Sequence, residues 1–281
     1  MTDRIEREFN EFDFEKNTVE EIEKYFSGKI LGHNRPTINI SPDGLFRARI
    51  IENTNAEDLK TVKSIWYPDF KEIDQKYHQL NRCSNIGQNF FYSSNYLGAT
   101  IKELNPNNDD LVMIGIFHKK FKKIKFRSQY AGIEALKTNP DRDSELEKYE
   151  YPSKTDELIE KYISSKFQEK IKNGEEYKYK SSIAFSNILL KNDGINCIIY
   201  PSVASELKYV NYGIKAKFVD DFLFCNEVYI YKIKKNSIEF ELTPIQFAKQ
   251  VLIDRETPKN SIIEWQENTD LERDKTIKYS L

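Results

Sequence analysis

The chain has 281 residues, of which 39% are hydrophobic, 31% charged and 13% aromatic, and its formal net charge is −2. A composition this aromatic excludes the disordered, collagen-like and low-complexity classes of protein. The balanced charge disfavours a protein that binds nucleic acid or a membrane surface over its whole area, and no apolar run approaches the roughly 20 residues of a membrane span.

The N-terminal residues carry no apolar stretch of the kind that a signal peptide needs, so we expect a cytoplasmic protein. Metal-ligand spacing is also missing from the cysteines and histidines, which are Cys83, Cys197, Cys225, His33, His78 and His118. This pattern predicts no metal site, reduced buried thiols and incidental histidines.

The first elements in chain order are a helix and a strand. Thr18 is suited to cap a helix that runs to Gly28, with glutamates in its first turns. Leu45 to Ile51 (LFRARII) alternates as a strand does, which places Arg47 and Arg49 on one face. Two arginines on one face repel each other unless something anionic lies over them. The following residues, 52 to 81, are predicted to be mostly loop.

A strand–helix unit and a buried strand come next. Asn89 to Ser93 is predicted to be a short strand, and Ser94 or Asn95 is suited to cap the helix Tyr96 to Leu104. The almost continuous apolar run Leu111 to His118 predicts a central strand.

The stretch Lys119 to Arg127 (KKFKKIKFR) has six basic residues in nine, interleaved with apolar ones. Its alternation is typical of a strand with one solvated cationic face. Binding to nucleic acid or to an acidic partner protein is an alternative, since phosphate contacts and stacking use this mixture of residues.

The second half of the chain continues the mixture of helices and strands. Its predicted helices are Thr155 to Ile171, Ser181 to Leu190, and a short one that begins at Thr243-Pro244 and ends at Leu252. Its predicted strands are Ile195 to Tyr200 and a hairpin formed by Val228 to Lys232 and Ser237 to Leu242. A polar tail begins at Asp254. Irregular alternation with hairpins predicts an α+β fold rather than a doubly wound parallel sheet.

The residues that point to chemistry are concentrated in Asn81 to Leu104. Arg82 precedes a glycine turn at Gly87, Tyr92 lies on the strand, and Glu103 lies on the helix that follows. One strand–helix unit therefore carries a basic residue, an aromatic ring and a carboxylate.

These residues resemble the RES-domain family. The family's early arginine strand is similar to Phe46-Arg47-Ala48-Arg49, and Arg82, Gly87, Tyr92 and Glu103 stand at the family's spacing. The later Gly194-Ile195 strand that ends in Pro201-Ser202 resembles the next motif, and Asn211 corresponds to an asparagine that follows it. The chain departs from the family in having Asn81 before the turn arginine.

The resemblance implies an ADP-ribosyltransferase-like fold, with a mixed sheet core, flanking helices and extensions at both ends. The implied domains are an N-terminal helical extension (1–44), a catalytic domain (45–242, with an insertion at about 119–154) and a C-terminal helix with a polar tail (243–281). The implied activity is NAD degradation at the nicotinamide N-glycosidic bond, by hydrolysis or phosphorolysis, in a bacterial toxin or defence effector. An antitoxin or immunity protein is then the expected partner.

The residue chemistry fits NAD, which would be the substrate. Arg47, Arg49 and Arg82 are suited to the pyrophosphate because guanidinium groups bind such oxygens in pairs. Tyr92 is suited to stack on the flat cationic nicotinamide, and Glu103 to stabilise an oxocarbenium-like ribose.

Ser202 and Asn211 are suited to hydrogen bond with the ribose, the amide or an incoming phosphate. Each residue also has a purely structural interpretation, such as an edge-strand charge for Arg47 or a turn cap for Ser202. Two other functions remain open, a transferase that ADP-ribosylates a macromolecule and a non-catalytic binding module.

Overall fold

A computed structural model describes residues 2–33, 35–42, 44–51, 59–71, 79–137, 146, 148–192, 194–237, 239–267 and 276–280. It contains both helices and strands, and antiparallel pairs accompany one parallel pair, so the fold is α+β with mixed strand pairing. No described helix is both long enough and apolar enough to span a bilayer.

The chain forms two compact units. Unit 1 comprises Met1–Ile40, Pro68–Phe90 and Lys125–Lys215, and unit 2 comprises Ser41–Tyr67, Phe91–Ile124 and Ala216–Leu281. Each unit is therefore built from segments that are distant in sequence.

Unit 1 combines four strands with five helices in the described residues. The strands are β1 (Thr37–Ile40), β5 (Phe126–Tyr130), β6 (Cys197–Pro201) and β7 (Val210–Lys215). The helices are α1 (Thr2–Glu11), α2 (Val19–Leu31), α4 (Ile133–Lys137), α5 (Lys154–Gln168) and α6 (Tyr179–Leu190). Strand β1 pairs antiparallel with β5, β5 pairs parallel with β6, and β6 pairs antiparallel with β7.

An aromatic cluster holds the helices of unit 1 together. The Phe9 ring of α1 stacks on Phe26 of α2 at 4.7 Å and also contacts Tyr162 of α5 and Phe185 of α6. Helix α2 begins as predicted, since Thr18 and Glu21 form a reciprocal capping box. The N-terminal helices are thus part of the core of this unit.

Unit 2 holds the other strands, with the first residue of β3 belonging to unit 1. These strands are β2 (Leu45–Ile51), β3 (Phe90–Ser94), β4 (Leu111–Lys119), β8 (Leu223–Lys235), β9 (Glu239–Leu252), β10 (Ile262–Glu267) and β11 (Ile277–Ser280). Its helices are α3 (Leu97–Leu104) and α7 (Ala216–Phe222). Strand β4 lies between β2 and β8, which confirms that it is central. The predicted hairpin is confirmed as β8 and β9, although both strands are longer.

The prediction of a helix from Thr243 to Leu252 is wrong, because β9 continues to Leu252. Strand β9 pairs with β8 on one edge and with β10 and β11 on the other. A register shift opposite Ile230 and Tyr231 leaves Ile245 without a partner on β8, and such a bulge tolerates Pro244. The polar tail also contributes strands β10 and β11.

Two smaller predictions are also corrected. Helix α3 begins after Tyr96, which makes no side-chain capping bond, so neither Ser94 nor Asn95 is its cap. The basic stretch is a turn between β4 and β5 rather than one continuous strand.

Candidate active site

Arg47 lies on β2, where backbone carbonyls hold its guanidinium. Its Nε donates to the carbonyl of Ile65 and its Nη1 to that of Tyr92, both at 3.0 Å. The guanidinium also lies 5.5 Å from the centre of the Phe91 ring. Burial, followed by the charge of Arg49, lowers the pKa of Arg47 to about 10.

Arg49 shares this face of β2 and is exposed. Its Nη1 donates to the carbonyl of Ser64 at 3.1 Å. Within the described ranges, neither Arg49 nor Arg47 forms an ion pair with a carboxylate. Over the two arginines the described residues place carbonyl oxygens and no carboxylate, so within this part of the chain their positive charge is not neutralised.

Tyr92 and Glu103 belong to the predicted strand–helix unit, now β3 and α3. Phe46 of β2 lies opposite Ser94 of β3, and it packs with Ile101 of α3 in one hydrophobic cluster. Helix α3 therefore covers the face of β2 that is opposite to the arginine face. Tyr92 gives its carbonyl to the Arg47 guanidinium, and its side chain is among the charges that act on the pKa of Arg47.

Glu103 lies in the last turn of α3 and is exposed. Within unit 2 the structure thus brings Arg47 together with Arg49 and Tyr92.

Arg82, in unit 1, binds the C-terminal end of α5. Its guanidinium donates to the carbonyls of Lys166, Phe167 and Glu169 at 3.0 to 3.3 Å. A cation at this position satisfies the last helical carbonyls and complements the helix dipole. The glycine that follows it, Gly87, has φ +85°, a backbone conformation that favours glycine.

Ser202 directly follows β6 and Asn211 lies on β7, both in unit 1. The Ser202 amide donates to the carbonyl of Tyr209 at 2.9 Å, and Asn211 lies opposite Tyr200. Strand periodicity then places both side chains on one face. Both residues are buried, and the Ser202 hydroxyl accepts from the Ser205 amide at 3.3 Å, as expected of a turn cap.

Sequence reasoning missed a buried charge network in unit 1. The His33 ring binds Asp156 through Nδ1 and Glu160 through Nε2, the latter at 2.9 Å. Arg35 binds both oxygens of Glu160, at 2.8 and 3.1 Å. His33 is thus not incidental. The available signal was Glu160, a carboxylate on the apolar face of the predicted amphipathic helix.

The cysteines are buried thiols, as predicted. Burial raises the pKa of Cys83 and of Cys225 to about 12, and it also raises the pKa of Cys197. Such thiols are poor nucleophiles because the thiolate is the reactive form. Among the described residues, no group of three or more His, Cys, Asp or Glu side chains could hold a metal ion.

A search against protein-family models finds no family that matches the chain, and a search of curated proteins finds no match.

Proposed function

We propose that this protein degrades NAD by cleaving the nicotinamide N-glycosidic bond, on an ADP-ribosyltransferase-like fold. The observation that carries the proposal is the pair Arg47 and Arg49. Their charge is not neutralised by any carboxylate of the described residues, and they lie on the strand that resembles the arginine strand of the RES-domain family.

The arginine pair suits a pyrophosphate. Two adjacent cations repel each other, and a bound dianion would remove that repulsion. Carbonyl bonds fix the orientation of Arg47, while Arg49 is exposed and donates to one acceptor among the described residues, so most of its five N–H donors are open to a ligand there. Arg82 lies in unit 1, where its guanidinium binds helix-end carbonyls, so the pyrophosphate contact is assigned to the arginine pair alone.

The remaining residues would act at the ribose and the nicotinamide. Tyr92 would stack on the nicotinamide, and Glu103 would stabilise positive charge on the ribose as the C–N bond breaks. Nicotinamide leaves with the bonding electrons, and an oxygen of water or phosphate forms the new bond to the ribose. Ser202 and Asn211, to which the resemblance gives contacts with the substrate, lie in unit 1 and are not assigned a contact in this site.

The direct test incubates purified protein with NAD and measures free nicotinamide, with and without phosphate and with and without added macromolecules. Ribosyl products without a labelled macromolecule support the proposal, and a ribose phosphate identifies phosphorolysis. Transfer of label to a macromolecule would instead indicate an ADP-ribosyltransferase. Absence of both products would leave a binding module and overturn the enzymatic proposal.

Glu103→Gln should lower NAD turnover by about 100- to 1,000-fold, the scale for loss of one electrostatic stabiliser of a transition state. NAD affinity should stay close to that of wild type because the arginines, and not Glu103, are proposed to hold the pyrophosphate. Thermal stability should also stay close to that of wild type because Glu103 is exposed. The matched control is Glu256→Gln, another exposed glutamate of unit 2. Equal turnover by the Glu103 variant and wild type would remove Glu103 from the mechanism.

Pyrophosphate alone should stabilise wild-type protein, by about 2.7 kcal/mol at 100 times its dissociation constant. Arg49→Ala should lose most of this effect because it removes the exposed cation of the pair. Arg255→Ala, which removes an exposed arginine elsewhere in unit 2, is the control. Full stabilisation of the Arg49 variant would show that the pyrophosphate binds at another place.

The toxin role and its antitoxin or immunity partner belong to the same proposal. Expression of wild type should slow bacterial growth, and Glu103→Gln should be tolerated at equal protein level. Equal toxicity of the two forms would separate any growth effect from NAD cleavage.

A further inference from the structure

The turn that follows β4, here named the cationic turn (residues 119–124, KKFKKI), presents an aromatic ring among lysines. Its backbone closes through a hydrogen bond of 3.0 Å from the Ile124 amide to the Phe121 carbonyl. Phe121 is 61% exposed, and Lys122 and Lys123 are exposed as well. The sequence predicted a strand with one solvated cationic face here, so a turn with an exposed ring departs from that expectation.

The lysines of this turn make hydrogen bonds but no ion pairs with the residues that the structure describes. Lys119 contacts the Ser41 hydroxyl, and the Lys120 Nζ donates to the backbone carbonyl of Asp220 at 2.8 Å. Among the described residues, no carboxylate forms an ion pair with any lysine of the turn. By contrast, Lys217 and Lys232 of the same unit pair with Asp221 and Asp109.

Asp220, whose backbone carbonyl binds Lys120, has its carboxylate engaged elsewhere. Its two carboxylate oxygens accept hydrogen bonds from the Trp66 indole at 3.0 Å and the Tyr67 hydroxyl at 2.6 Å. Lys120 therefore reaches only the backbone of this residue. The positive charge of the turn is left for an external anion.

We propose that the cationic turn binds single-stranded nucleic acid, with lysines on the phosphates and the Phe121 ring stacked on an unpaired base. This combination of cations and an exposed aromatic ring is the one that sequence-tolerant single-strand binding uses. The inference goes beyond NAD cleavage and does not depend on it. Because the protein's net charge is balanced, we expect the nucleic acid to bind at this turn and not over the whole surface.

Other polyanions fit the turn less well. A membrane would require apolar side chains at the tip, but Lys122 and Lys123 occupy the two central positions and Phe121 is the exposed ring beside them. An acidic protein would use the lysines and leave the ring without a role. A duplex would also leave it unused because its bases are already stacked.

The test measures binding of fluorescent oligothymidylate of about 12 nucleotides, within the range of single-strand site sizes, by anisotropy at several salt concentrations. Wild type should bind with a dissociation constant of roughly 1 to 100 μM, and four phosphate contacts should give a slope of about −2.8 in log affinity against log salt. Phe121→Ala should weaken binding about tenfold.

The double variant Lys122→Glu/Lys123→Glu should reduce the salt slope by about 1.4, since two contacts are lost. Lys170→Glu/Lys172→Glu, a pair of exposed lysines in unit 1, makes the same change in net charge and should bind like wild type. Thermal stability should be unchanged in all three variants because the substituted side chains are on the surface.

Several results would overturn the inference. Binding that is unaffected by Phe121→Ala would remove the stacking role, and equal loss in the control double variant would reduce the effect to net charge. Tighter binding to duplex DNA, to polyglutamate, or to vesicles of phosphatidylcholine and phosphatidylserine would assign the turn to a different partner.

Discussion

Arg35 in unit 1 and Arg47 in unit 2 are two arginines whose guanidinium groups are removed from water by different partners. Arg35, with 3% of its side chain exposed, forms a two-point ion pair with the fully buried Glu160. Burial lowers the pKa of Arg35, and the Glu160 carboxylate opposes this. Arg47 has only carbonyl oxygens and faces the like charge of Arg49, which lowers its pKa further.

The contrast shows which arginine is available to a ligand. In the network of unit 1, the Arg35 guanidinium meets the Glu160 carboxylate, and Asp156 lies on the other side of the His33 ring, so an added anion would meet negative charge. Around Arg47 the carbonyl dipoles orient the guanidinium without cancelling its charge. A half-buried cation of this kind attracts an anion, which is why the proposed pyrophosphate contact is assigned to unit 2.

The largest effect is expected from Arg35→Met. It leaves the Glu160 carboxylate buried with only His33 as a partner, and breaking a buried ion pair from one side costs about 3–5 kcal/mol of unfolding free energy. Urea denaturation followed by circular dichroism measures this loss. The double variant Arg35→Met/Glu160→Leu removes both charges and should recover a large part of it. A double variant as unstable as the sum of its single changes would break the comparison.

Arg47→Met should lower the unfolding free energy by less, about 1–2 kcal/mol. The variant loses the hydrogen bonds to the carbonyls of Ile65 and Tyr92, but it also removes from a partly buried position a cation that no described carboxylate neutralises, and the second effect offsets part of the first. The same urea experiment measures it, with Arg255→Met as the control. Pyrophosphate should no longer stabilise this variant. A loss equal to that of Arg35→Met would show that a carboxylate partner does not distinguish the two sites.

Elements with strong local signals were predictable from the sequence. The strand Leu45–Ile51 has the predicted bounds, and α2 has the predicted capping residue, because alternation and capping act between residues a few positions apart. Helix α3 lies within about one residue of its predicted position, so the strand–helix unit that carries Tyr92 and Glu103 was also predictable from the sequence.

Features that depend on distant residues were not predictable. His33 meets Asp156 and Glu160 across more than 120 positions of sequence, and no local pattern marks that contact. Residues 244–252 have a helix-like start at Pro244, but pairing with β8 and β10 makes them a strand. The arginine contacts belong to the same class, since the acceptors of Arg47 lie on other segments.

Arg82→Met should lower the unfolding free energy by about as much as Arg47→Met, about 1–2 kcal/mol, because it removes hydrogen bonds from a charged donor. The change leaves the carbonyls of Lys166, Phe167 and Glu169 without this donor at the partly buried end of α5, where water can replace part of the contact. Thermal denaturation measures the loss, and Arg82→Lys should restore part of it by returning the charge at the end of α5. Pyrophosphate stabilisation should fall less than in Arg49→Ala, because the recorded bonds of Arg82 already use its Nη1 and Nη2 groups on the helix. If Arg82→Met abolishes pyrophosphate binding while leaving stability unchanged, Arg82 rather than the arginine pair of β2 is the principal phosphate ligand.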